Sequence, residues 1–144
     1  MLSTLLPWLI APAFAQVDSD LVRSLSPRHG APACADLGTS ATALQDVVTH
    51  VSMPPWVPMR AASCLIELHH ETSEERFLTW VSDPAMKGLG RMLLRRLDTL
   101  PEPLSLRIVD AGLKGELKEE VLDTASTDPR PSIQQRAFDA RETP

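Results

Sequence analysis

The stretch TDPRPSIQQRAFDA, residues 127–140, is ordered as a helix start. Asp128 stands where a carboxylate can accept bonds from the first unpaired backbone amides. Pro129 follows at the first helical position, where its fixed φ suits the helix and its missing N–H goes unused. Ile133, Ala137 and Ala140 then fall on one face. Upstream the device recurs: Asp83-Pro84 opens DPAMKGLGRMLLRRL, Pro55 sits in PPWVPMRAASCLIELHH, and Pro101 starts LPEPLSLRIVDAGLKG. Pro55 and Pro101 are about 45 residues apart, as are Pro84 and Pro129, and a beat of this length is the signature of helical repeats.

The apolar positions between these starts agree. Leu44, Val47, Val48 and Val51 keep helical spacing behind Ser40 or Thr39 as cap; Val57, Ala61, Cys64, Leu65 and Leu68 share the next face. Thr72 and Glu75 have the spacing of a capping box ahead of Phe77, Leu78 and Val81. Leu89, Met92, Leu93 and Leu97 follow, then a stop at Gly115, then Leu117, Val121, Leu122 and Ala125. The glycines of KGLG (87–90) lie inside a helix, where they permit close packing at a propensity cost of ~1 kcal/mol each. The spacing predicts seven helices over residues 41–141, joined by short connections that make sequential neighbours antiparallel. No segment alternates with period two, so the fold class is all-α.

DPRPSIQQRA (128–137) resembles the start of the second helix of a HEAT-type repeat, in the variant also found in phycobilin-lyase-like proteins. DPAMKGLG (83–90) is a shortened version with Met86 in the aliphatic place and Lys87 in the basic one. PPWVPMRAA (54–62) keeps Met59, Arg60, Ala61 and Ala62 but has Pro54 in place of the acid, and LPEPLSLRIV (100–109) falls one place out of step. The resemblance covers residues 41–141. It implies a short right-handed α-solenoid of antiparallel helix pairs, with a scaffold or binding role and no particular ligand. The alternative is an irregular bundle whose helices start with proline.

Ahead of this domain, MLSTLLPWLIAPAFAQ has an apolar run and small residues at Ala13 and Ala15, the pattern of a signal peptide over residues 1–15. It is shorter than the ~20 apolar residues a spanning helix needs. Its n-region has no Lys or Arg; the alternative, a buried first helix, is opposed by Pro7 and Pro12. Export to a periplasm or beyond the cell is the expectation, without membrane insertion after cleavage and without a lipoprotein cysteine. Residues 16–40 read as an irregular N-terminal segment with one short helix in DSDLVRSL and turns at Pro27, Gly30, Pro32 and Gly38. In an exported chain the two cysteines, Cys34 and Cys64, predict one disulfide; the alternative is two buried thiols.

The formal charge is −5, with 14 Lys and Arg against 19 Asp and Glu, a balance that argues against nucleic acid as partner. The one dense basic cluster is Arg91, Arg95 and Arg96, suited to an acidic partner protein or to ion pairs with Glu74, Glu75 or Asp98. Trp56 and Trp80 are placed to flank an inter-helix seam or simply to pack. Glu67, His69, His70 and Glu71 are metal-ligand types, but only Glu67 and His70 share a face, whereas zinc wants three or four convergent ligands. There is no Gly-x-Ser-x-Gly elbow, phosphate loop or tyrosine. No catalytic residue, metal or cofactor is therefore assigned. The sequence reads as an exported protein–protein interaction module or scaffold; the alternatives are an enzyme or accessory factor of lyase-like type, or a purely structural capping domain.

Overall fold

Polar caps set the first two helices. The Asp18 carboxylate accepts from the amides of Asp20 and Leu21 and opens α1 (Ser19–Leu25). Ser40 accepts the amide of Ala43 at 3.1 Å and opens α2 (Ala41–His50), as its position predicts. The computed structural model, which describes residues 16–143, continues with α3 (Trp56–Leu68), α4 (Glu74–Ser82), α5 (Lys87–Arg95), α6 (Glu102–Gly112), α7 (Lys118–Ser126) and α8 (Pro131–Glu142). Four short 3₁₀ turns lie between them, and no strand occurs among the described residues, so the chain is all-α. The helices from α2 onward number seven, as the periodicity predicts. The signal-peptide expectation falls on residues 1–15, outside the described residues.

Three helix starts differ from the sequence expectation. Thr72 and Glu75 form no capping box: α4 begins at Glu74 with no side-chain cap, and the Thr72 hydroxyl donates to the His69 carbonyl in a 3₁₀ turn. Asp83 caps the 3₁₀ turn Pro84–Met86, accepting from Ala85, and α5 begins only at Lys87. Pro131, not Pro129, takes the first-turn place in α8, because the Asp128 carboxylate is drawn to both the amide and the guanidinium of Arg130, and the chain turns once more before the helix.

Each helix packs mainly on those one and two places along the chain. α2 lies on α3, α4 on α5 and α7 on α8; α4 also lies on α6, α6 on α8, α3 on α5 and α5 on α7. One apolar cluster runs through this order, from Leu21 and Leu44 through Phe77 and Leu93 to Ile133 and Ala137. Ion pairs cross between helices two apart: Glu74 with Arg107 joins α4 to α6, and Asp110 with Arg136 joins α6 to α8. Being half exposed, each contributes at most ~1 kcal/mol.

The closest approach surrounds the last turn of α4. A Cβ at Gly90 would stand 2.5 Å from the Trp80 carbonyl oxygen and 2.6 Å from a Leu117 methyl, and one at Gly115 would stand 3.1 Å from the Ser82 Cα. Trp80 itself is buried, its ring centroid 5.1 Å from that of Phe77. A Cβ at Gly88, by contrast, would meet nothing within 4 Å.

At the other end, three α3 side chains four residues apart hold the N-terminal segment. The Trp56 indole N–H donates to the Ser26 carbonyl at 3.0 Å. The Arg60 guanidinium donates to the carbonyl of Leu25, at the C-terminal end of α1, and to those of Pro27 and Arg28 in the segment that follows. Cys64 is bonded to Cys34, with the two Cα atoms 5.3 Å apart. The disulfide expected from the cysteine count is present, and it joins the 3₁₀ turn Cys34–Leu37 to α3.

Two outcomes follow for stability. In denaturant melts, Gly88→Ala is expected to stabilise the chain by about 0.5–1 kcal/mol through helix propensity, whereas Gly90→Ala is expected to destabilise it by about 1–3 kcal/mol through overpacking. Replacing both cysteines by serine is expected to lower stability by about 3 kcal/mol and to speed proteolysis within residues 27–39.

Candidate functional site

Arg91 and Arg95 lie four apart on α5 and face α7, where Glu120 and Thr124 occupy the corresponding positions. The three arginines of the basic cluster separate in the structure. Arg91 pairs with Glu120 at 3.3 Å. Arg96, at the end of α5, turns to α3 and donates to the Ser63 hydroxyl at 2.8 Å. Arg95 is exposed, and its side chain makes no ion pair or hydrogen bond among the described residues. None of the three pairs with Glu74, Glu75 or Asp98; Glu74 is held by Arg107, and Asp98 is exposed and likewise unpaired among the described residues.

Two clefts meet at this place. One, of about 240 Å³, is bounded by Arg95, Leu97, Asp98, Thr127 and Pro129; the other, of about 230 Å³, by Arg91 and Glu120. They share Leu94, Arg95 and Thr124 and so form one groove between α5 and α7. Leu94 and Leu97 are nearly fully buried and make an apolar floor. The Glu120 carboxyl is held below its ordinary range chiefly by a bond from its own backbone amide, which with the lesser help of Arg91 and Lys87 outweighs the opposing effect of desolvation. It is a carboxylate at neutral pH and keeps Arg91 engaged.

One end of the groove is closed by a charged cluster. Asp128 is buried, and its two oxygens each accept from the Arg130 guanidinium at 2.9 Å. The same guanidinium donates to the carbonyls of Leu97 at 2.9 Å and Leu100 at 2.6 Å, and to the Ser105 hydroxyl at 3.1 Å. It thereby satisfies carbonyls in the turn between α5 and α6 that packing removes from water. Hydrogen bonding to Arg130 holds the Asp128 carboxyl below its usual range, outweighing the opposing effect of burial, and the pair keeps the guanidinium charged. Helix-start spacing marks Asp128 as a cap and does not single out Arg130. A charged pair ahead of a proline-started helix was the available signal; its carbonyl partners, some thirty residues back, have none.

The other candidates lie apart from the groove. Trp56 is half buried at the N-terminal segment, with the Arg28 guanidinium 6.0 Å from its ring, while Trp80 is buried on α4 against the Phe77 ring, so the two do not flank one seam. Among the described residues no three His, Cys, Asp or Glu side chains converge to hold a metal. His69 Nε2 and Ser73 Oγ are buried and have no hydrogen-bond partner among the described residues. The groove lining offers the charged groups of Arg91, Arg95, Asp98 and Glu120 and the hydroxyls of Thr124 and Thr127. No family model, curated protein or solved structure matches the chain.

Because the folded-state pKa of Asp128 lies below its ordinary 3.8, the pair's stabilisation is complete above that pH and is lost as pH falls through the lower, folded value. Urea melts of the wild type and of Asp128→Asn, taken from pH 7 to pH 2.5, check this: the stability gap between the two is expected to narrow as pH drops below about 4. At pH 7, Asp128→Ala is expected to cost about 3 kcal/mol by leaving a partly buried guanidinium without its partner.

Proposed function

We propose that this chain is a short right-handed α-solenoid of HEAT-like helix pairs, exported from the cell interior, that binds another protein in the groove between α5 and α7. The packing order supports the solenoid reading: even-numbered helices α4, α6 and α8 follow one another in one layer, and odd-numbered α3, α5 and α7 in the other. In such arrays the surface along one layer serves as a binding face. A disulfide supports export, because such bonds persist in oxidising compartments, and no described helix is long and apolar enough to cross a membrane.

The observation that carries the binding reading is Arg95, an exposed cation with no partner among the described residues, over the apolar floor of Leu94 and Leu97. On the even-helix side, Arg107 and Arg136 are instead engaged by Glu74 and Asp110. Arginine beside a desolvated apolar floor is the kind of anchor that dominates protein interfaces.

The test is capture of binding proteins from the compartment that houses the chain, using immobilised wild type, Arg95→Glu and, as a control on α4, Arg76→Glu. One protein retained saturably by the wild type and by Arg76→Glu, and at least tenfold more weakly by Arg95→Glu, is the expected result. Equal retention by all three would remove the groove from consideration.

A further inference from the structure

Arg95 ends α5, and Asp98 lies in the 3₁₀ turn Leu97–Thr99 that follows. Opposite charges three apart on one continuous helix ordinarily find each other. Here the α-helix stops between them, Arg96 turns away to Ser63, and the two side chains line the same cleft without pairing. The other charges at the groove are engaged: Glu120 by Arg91, and Asp128 by Arg130. What the cleft offers a visitor is therefore one positive and one negative group, with Thr124 and Thr127 on the facing wall and leucines beneath.

From this pattern we infer that the groove takes a peptide segment of a partner protein bearing one acidic and one basic side chain. Arg95 receives the carboxylate and Asp98 the cation; the inference rests on the reading of the α5–α7 groove as a docking site. The guanidinium fork matches a carboxylate with two parallel bonds, and Asp98 accepts from a lysine or arginine. A polyanion, whether a nucleic acid or a run of acids, meets the unpaired Asp98 carboxylate beside Arg95. A purely basic segment meets the unpaired Arg95 guanidinium. Discrimination thus comes as much from the repelled partners as from the accepted one.

Phage-displayed random heptapeptides panned on the full chain, with enriched peptides measured by fluorescence anisotropy, test this. The charge-exchange variant Arg95→Asp/Asp98→Arg keeps composition and net charge, and circular dichroism checks that it is folded. The wild type is expected to enrich peptides with an acid and a base in a fixed order. The exchange variant is expected to bind those peptides at least tenfold more weakly and to enrich the reversed order. Acid-only or base-only peptides that lose binding in Arg95→Ala would overturn the two-charge inference and leave the groove standing. Peptides indifferent both to the exchange and to Thr124→Trp, which fills the groove, would overturn inference and groove together, as would no enrichment over an uncoated surface.

Discussion

Backbone meets neighbouring helices with almost no side chain between them around the last turn of α4. Gly90 of α5 lies against the Trp80 carbonyl, Gly112 of α6 lets Val121 in close beside Val81, and Gly115 of the α6–α7 connection lies over Ser82. This approach sets α4 against α5, α6 and the start of α7 at once. The Leu117 methyl sits over Gly90, so the same contact fixes how near α7 comes to α5. The two walls of the groove, with Arg91 and Arg95 on one and Glu120 and Thr124 on the other, are spaced by what happens beneath them. Close-packed interiors transmit such displacements instead of absorbing them.

Away from that centre, the structure solves one problem twice. Helix and turn ends leave carbonyls without partners, and burying them is costly unless donors arrive. On the N-terminal side Arg60 of α3 reaches the carbonyls of Leu25, Pro27 and Arg28. Towards the C-terminal side Arg130 reaches those of Leu97 and Leu100. Each arginine takes carbonyls some thirty residues back in the chain, and its five donors in a rigid fork let one side chain serve several at once. Arg60 is joined by Trp56 and Cys64 along α3, Arg130 by Asp128, so each clamp has a second attachment.

The helices were legible because burial enforces a 3.6-residue period that a single sequence displays: Leu44 and Val47, Ile133 and Ala137 are all buried as their spacing predicts. Ser40 was legible as a cap because capping is local. Thr72 and Glu75 misled because the same spacing also fits a 3₁₀ turn, and nothing nearby reveals which bond the hydroxyl will choose. In KGLG the sequence did not separate the glycine under contact, Gly90, from the open one, Gly88. The basic cluster was visible as a run, but helical geometry sends Arg96 to α3 and Arg91 to α7, and its partners lie on elements far off in sequence. That Arg95 and Asp98 stay apart depends on where α5 stops, and helix ends are what sequence patterns locate least well.

The dependence of the helix packing on the last turn of α4 is open to native-state hydrogen exchange, which ranks each amide by the opening that exposes it. The Asp83 amide, bonded to the Thr79 carbonyl at 2.8 Å, and those of Trp80 to Ser82 are expected to exchange only by global unfolding, while α1 and the last turn of α8 open separately and sooner. Exchange of Trp80 to Asp83 at the rate of the chain ends, with α8 or α1 the slowest region, would contradict it.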